Sequence, residues 1–203
     1  MPIFHQRYLV GKRVFDLAIC LLLLPLGLVL SLACAIAILV DSPGPIFIAQ
    51  ERTGRDGKRF RMYKFRTMVP NAEELKPSLA HLNILPFPDF KIIDDPRITR
   101  VGRILRKTSL DEIPQLINVL RGEMSLVGPR PTSFAPSTYS LWHTYRLEVM
   151  PGMTGLWQIR GRNGMTLDER LRLDIAYIEH WSLALDLKIL LKTIPAVFRG
   201  SGA

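Results

Sequence analysis

From Leu17 to Val40 the chain carries no charged residue, and Leu21–Leu24 is an unbroken leucine block. As a straight helix at ~1.5 Å per residue, this run measures roughly 36 Å, enough to cross a hydrocarbon core of about 30 Å. A helix apolar around its whole circumference is too large a load for the core of a 203-residue chain, so lipid is its natural solvent. A cleaved signal peptide competes with this reading, with basic residues in front and a small-x-small site at Ala33–Cys34–Ala35. The run is longer than a typical signal core, however, and continues past that site to Val40.

Pro25 lies inside the run, where it removes a backbone donor and kinks the helix. Both flanks are basic: Lys12 and Arg13 before, and Arg52, Arg55, Lys58, Arg59 and Arg61 after. A crossing helix should show its positive charge mainly on the cytoplasmic flank. We therefore read residues 1–41 as a re-entrant, membrane-associated helix. Residues 42–203 then lie in the cytoplasm and form one structural unit with the anchor. The charge pattern by itself leaves a single crossing open.

The formal net charge is +9. Arg7, Lys12 and Arg13 against Asp16 and Asp41 make the first 41 residues +1, so +8 belongs to the remainder. That surplus points to anionic partners: nucleic acid, anionic lipid or phosphorylated substrates. Cys20 and Cys34 both sit in the apolar run, with no CxxC and no histidine at metal spacing. A disulfide framework or zinc site is not expected, and a reducing compartment suits them.

Asp41-Ser-Pro-Gly-Pro45 ends the helix. Ile46–Gln50 and Phe60–Phe65 read as strands joined by a glycine-containing turn over Thr53–Lys58, a β-hairpin. Its return strand alternates basic residues, Lys64 and Arg66 among them, with Phe60, Met62, Tyr63 and Phe65. That pattern suits either a solvated face or a surface for phosphates beside a membrane. Asn71–Leu79 reads as a short helix, and Pro86, Pro88 and Pro96 punctuate a loop of lid-like length. Leu167–His180 and Leu183–Val197 carry helical apolar spacing; the second stripe fits the membrane surface or the core.

The most informative stretch is Gly102–Pro131. Leu110, Ile113, Leu116, Ile117 and Leu120 make one face of a helix. Ser109 and Glu112 have capping-box spacing ahead of it, which puts Asp111 in the first turn, where free N–H groups favour anions. Pro114 complicates that start and allows a cap at Asp111 instead. An acidic pair there is commonly only a cap. Its basic company, Arg103, Arg106, Lys107, Arg121 and Arg130, suits phosphoryl chemistry as well. Arginine clamps phosphate oxygens, a carboxylate attacks phosphorus and a divalent metal neutralises charge.

The chain resembles the bacterial sugar transferase family, the monotopic phosphoglycosyl transferases that start exopolysaccharide, O-antigen and glycoprotein glycan assembly. The resemblance runs from Lys12-Arg13-Val14-Phe15-Asp16 to Leu185-Asp186-Leu187-Lys188. Between them lie Tyr63-Lys64-Phe65-Arg66-Thr67-Met68, Thr108-Ser109-Leu110-Asp111-Glu112, Met124 through Pro131, Pro151-Gly152-Met153-Thr154-Gly155 and Gly161-Arg162. Each is weak alone; their order together is specific. The resemblance implies transfer of a sugar phosphate from a UDP-sugar to undecaprenyl phosphate, with Asp111 as covalent nucleophile, Glu112 assisting, and Mg²⁺ as cofactor on this pair. It further implies phosphate contacts from Arg106, Arg130 and Arg162, and supporting places for Asp174 and Asp186; Lys64 and Arg66, on the basic return strand, are expected to bind substrate phosphate with them. The implied location is the cytoplasmic face of the bacterial inner membrane. Family helices kink at a Ser-Pro pair; here the pair is Leu24-Pro25.

The non-catalytic alternative is a membrane-tethered basic module binding anionic lipid or nucleic acid, which would need neither the acidic pair nor the glycine-proline turns. An acyltransferase would need an H-x4-D element, and none of the four histidines is followed by Asp at that spacing. The expected fold is α+β and mostly helical: the anchor, a small hairpin and interfacial helices around a compact catalytic domain. Membrane lipids are expected partners, nucleic acid is not, and a homodimer stays open.

Overall fold

The computed structural model describes residues 3–84, 90, 92–133, 141–160 and 165–198. The apolar run forms one long helix, α1 (Ile3–Asp41), which continues through Pro25. It is long and apolar enough to cross a membrane, and most of it is left uncovered by the rest of the chain. The residues α1 does bury, Lys12, Asp16, Cys20, Cys34 and Ile38, recur at multiples of about a helical turn. They form one stripe along its length.

After the Pro-Gly-Pro break comes the expected hairpin. Strand β1 (Phe47–Thr53) pairs antiparallel with β2 (Arg59–Phe65), in register from Phe47 opposite Phe65 to Thr53 opposite Arg59. A short helix, α2 (Ala72–Leu75), opens the proline-punctuated excursion; Pro86 and Pro88 lie outside the described residues. Helix α3 (Arg100–Lys107) starts at Thr99, whose hydroxyl accepts from Gly102 N. Then follow α4 (Gln115–Arg121), β3 (Ser125–Val127), β4 (Gly152–Thr154) and α5 (Leu156–Arg160). The two expected C-terminal helices are α6 (Leu167–Glu179) and α7 (Leu183–Phe198). A mostly helical α+β fold with small sheets is what the structure has.

Two apolar clusters hold these elements on α1. One gathers Cys20, Met62, Val119, Met124, Leu126, Val127, Tyr177 and Ile189; the other joins Cys34 and Ile38 to Phe65 and Leu105. Polar ties reinforce both ends of the helix. Lys12 Nζ donates to Asp186 Oδ2 at 2.7 Å, Ser125 Oγ donates to Asp16 Oδ2 at 2.7 Å, and Val101 N donates to Asp41 Oδ2 at 3.0 Å. Arg13 donates to the carbonyls of Val119 and Leu120 in the last turn of α4, where a cation is favoured.

The parallel pair β3–β4 is built from backbone approach. A Cβ on Gly152 would stand 2.1 Å from Gly128 N, so the Gly-Pro turn after β3 and the Pro-Gly turn before β4 interlock only without side chains there. Arg130 leaves the first of these turns.

Candidate active site

Asp111 and Glu112 belong to a three-residue 3₁₀ turn, Leu110–Glu112, wedged between α3 and α4. Two sequence features make it. Ser109 sits in the left-handed region at φ 56° and ends α3, and Pro114 cannot supply the N–H that a continuous helix would need. The expected capping box at Ser109 is therefore corrected: the Ser109 side chain makes no cap hydrogen bond, and Glu112 points elsewhere. A capping box does form at the start of α6, between Thr166 and Glu169. The expected apolar face also changes. Because α4 starts afresh at Gln115, it buries Gln115, Asn118 and Val119 and leaves Ile117 and Leu120 exposed.

Three expected cations meet the acidic pair. Lys64 Nζ, from β2, donates to Glu112 Oε1 at 2.9 Å and lies 3.6 Å from Asp111 Oδ2. Arg130 reaches the same glutamate as a fork, from its terminal nitrogens to Oε1 at 2.6 Å and Oε2 at 3.3 Å. Arg106, one turn before the pair, donates from Nε to Thr67 Oγ1 at 2.9 Å, and its charge acts on Asp111. The remaining assignments sit elsewhere. Arg66 gives both terminal nitrogens to the carbonyls of Pro43 and Ser42, which fastens the strand to the end of α1. Asp186 is buried with Lys12 and Tyr177 at the anchor junction. Arg162 lies outside the described residues.

The neighbouring carboxyls are driven apart. Burial pushes Asp111 up; Lys64 opposes this, while Glu112 adds to it. Burial also works against ionised Glu112, but Arg130 and Lys64 outweigh it and hold that carboxyl well below the usual range. One acid is thus firmly ionised, and its neighbour carries a charge that the protein under-compensates. A hard divalent cation fits that deficit. Magnesium takes one or two carboxylates and completes its shell with water and phosphate oxygens. Among the described residues no third acid or histidine gathers with the pair.

Beside the pair a cavity of about 200 Å³ opens, sharing Lys64 and Arg130 as wall and lined further by Arg52, Arg146, Trp157 and Arg170. Asp174 is in it, 1% exposed, accepting from Arg146 at 2.7 Å. Burial, against Arg146 and Arg170, pushes Asp174 up to about 6. Arg146 also donates to the Arg130 carbonyl at 2.6 Å, so this ion pair braces the turn that carries Arg130.

Sequence reasoning missed several positioning residues. Asn118 is fully buried; its amide donates to Arg61 O at 2.7 Å and accepts from Tyr63 N at 3.0 Å. It satisfies the open edge of β2 as a partner strand would, and so sets Lys64 over the pair. An asparagine within the apolar stretch Leu116–Leu120 was the available signal. Thr67, Arg146, Trp157 and Arg52 had none at the level of spacing.

The model of the bacterial sugar transferase family matches residues 7–200. The galactosyl transferase CpsE of Streptococcus agalactiae serotype III is 42% identical across 100% of this chain and 45% of its own length. An undecaprenyl-phosphate galactose phosphotransferase of Salmonella typhimurium is 46% identical over 95% of this chain and 41% of its own. A UDP-glucose:undecaprenyl-phosphate glucose-1-phosphate transferase of Caulobacter vibrioides is 43% identical over 95% and 71%. The chain thus spans less than half of the Streptococcus and Salmonella proteins.

Proposed function

This chain belongs to the bacterial sugar transferase family, and from that premise we propose that it moves a sugar-1-phosphate from a UDP-sugar to undecaprenyl phosphate, an initiating step of exopolysaccharide, O-antigen or other glycan assembly. The observation that carries the reading is an Asp–Glu pair, Asp111 buried and Glu112 half-buried, held among Lys64, Arg106 and Arg130 and built against a membrane-length helix. The relatives' names, with galactose and glucose in them, favour a hexose donor.

In the proposed chemistry an Asp111 oxygen attacks the sugar-bearing phosphorus. The bond to the bridging oxygen breaks, UMP leaves with the electron pair, and the phosphosugar stays on Asp111 as an acyl phosphate. The lipid phosphate then attacks the same phosphorus, giving undecaprenyl-diphospho-sugar and freeing Asp111. A covalent relay divides one displacement between two bulky anions into two steps at one site. The under-compensated charge on Asp111 suits a nucleophile. Glu112, held ionised, fixes Lys64 and Arg130 where phosphate oxygens arrive, and the charge of Arg106 acts on Asp111. Mg²⁺, held by Asp111 and Glu112, would supply neutralisation of the phosphate charge.

The anchor is read as re-entrant, with residues 1–41 membrane-associated and 42–203 catalytic on the cytoplasmic face. Supporting this, ties at Lys12 and Asp16 and at Cys34, Ile38 and Asp41 all reach one body. A straight crossing with that body on one side would carry one end of the stripe away from it. The mechanism is tested with UDP-sugar and no lipid acceptor. Wild type should release about one UMP per enzyme and retain the phosphosugar on the peptide containing Asp111. Asp111→Asn should fold and lose turnover by several orders of magnitude. A label mapping elsewhere, or an active Asp111→Asn, refutes it.

A further inference from the structure

The cavity beside the acidic pair has a composition that the two carboxylates do not explain. Its lining holds five cationic side chains, Arg52, Lys64, Arg130, Arg146 and Arg170, and one carboxylate, Asp174. Lys64 and Arg130 are engaged with Glu112 and Arg146 with Asp174, so even with Glu112 counted the cavity is strongly positive. Arg52 shows the imbalance directly. Its hydrogen bonds go to neutral acceptors, Gln50 Oε1 at 2.7 Å and Glu51 O at 3.3 Å. Burial and the neighbouring guanidinium groups of Arg130 and Arg59 push its pKa down. A half-buried surface with an excess of one sign is costly unless an anion completes it.

The same lining includes a flat aromatic surface. Trp157 on α5 has the Arg170 guanidinium 5.8 Å from its ring centroid, and a planar aromatic beside a planar cation is a surface on which a base stacks. The volume, about 200 Å³, is below the roughly 300–1,000 Å³ of sites that enclose a whole drug-sized ligand. It suits part of a donor while the reacting phosphate lies outside, at the acidic pair.

We propose that this cavity seats the leaving nucleotide, with Arg52 binding the phosphate that departs as UMP and the Trp157–Arg170 wall flanking its base. The assignment rests on the functional reading above. Both substrates carry phosphate, and position favours the nucleotide over the lipid. The anchor α1 packs chiefly on α3, α4, α7 and β3, whereas the new walls come from β1, α5 and α6. The site also offers five cations and an indole beside a few apolar side chains, Met62, Pro131, Leu167 and Leu171.

The test uses the full chain in detergent with UMP as probe. Calorimetric UMP affinity should fall roughly ten- to hundredfold in Arg52→Gln, as for loss of a charge-assisted hydrogen bond. Trp157→Leu should weaken UMP as well, and Trp157→Phe should restore most of the loss. The apparent KM for lipid phosphate should stay within about twofold of wild type. In Arg52→Gln, Asp111 labelling should reach the same extent at higher donor concentration. Unchanged UMP affinity in a folded Arg52→Gln, while wild type labels Asp111 normally, overturns this inference alone. A lipid KM that rises in place of the UMP constant assigns the cavity to the acceptor and also overturns it. A wild type that neither binds UMP nor labels Asp111 refutes both readings together.

Discussion

Replacing Gly102 by alanine adds one methyl group where α3 presses on the segment leaving β2. An alanine Cβ there would lie 2.1 Å from Thr67 O and 2.7 Å from Thr67 C, whereas ordinary contact begins near 3.4 Å. The obstacle is backbone, and it is held: Thr67 O accepts from Thr99 N at 3.1 Å at the start of the same helix. Relief therefore requires α3 to shift by about 1 Å, with overpacking of this kind costing roughly 1–3 kcal/mol. For a chain of this size that lowers the unfolding midpoint by ~2–12 °C. Arg106, one turn on, is carried away from Thr67 Oγ1 and from Asp111 by the same shift. A displacement of about 1 Å in a positioning group costs on the order of 10²-fold in rate. UMP release and thermal unfolding in one detergent measure both effects. Gly11→Ala is the control: its Cβ would meet only Leu183 Cδ1, at 3.8 Å, and alanine favours helix by about 1 kcal/mol. Gly102→Ala with wild-type turnover and midpoint refutes the docking argument. A lower midpoint with full turnover leaves the contact structural and removes Arg106 from the positioned groups.

Two further predictions concern charge. Asp174 has its pKa raised to about 6, chiefly by burial, so its folded form binds a proton more tightly than its unfolded form. The stabilisation this gives is complete below about pH 4 and is lost as pH rises through about 6. Wild type should therefore lose stability relative to Asp174→Asn over that window, by about 3 kcal/mol; parallel pH curves for the two proteins exclude it. For the anchor, single cysteines at positions 2 and 203, with Cys20 and Cys34 replaced by alanine, should both be labelled from the cytoplasm only. Periplasmic labelling of position 2 excludes the re-entrant reading.

The long elements were legible because their signals are additive: the uncharged run, the alternating hairpin and the two C-terminal apolar stripes each sum many residues. The dyad region was legible in composition and not in shape. Read as one amphipathic helix, Leu110–Leu120 gives the wrong buried face, since periodicity cannot register that Pro114 resets the phase. Nor can it register that Asn118 must turn inward to satisfy the edge of β2. Ser109 fits a capping box by spacing, yet its positive φ and the pull of Lys64 and Arg130 on Glu112 prevail. Close approaches such as Gly102 on Thr67 leave no trace in spacing at all. Nor does the Arg146–Asp174 brace, whose partners are far apart in the chain.

That break in the helix bears on how the site works. The short turn sets Asp111 and Glu112 among three separately delivered cations: Arg106 from α3, Lys64 from β2 and Arg130 from the turn after β3. Each delivering element is fastened to α1 by a polar contact of its own. Asp41 accepts from Val101 on α3, Arg66 ties the end of β2 to Ser42 and Pro43 beside α1, and Asp16 accepts from Ser125 and Leu126 on β3. Arg13 does the same for α4, which holds β2 through Asn118. The distances around the acidic pair therefore depend on the long apolar helix α1. We infer that the division at residue 41 separates two solvents, while the cooperative unit that carries the chemistry runs across it.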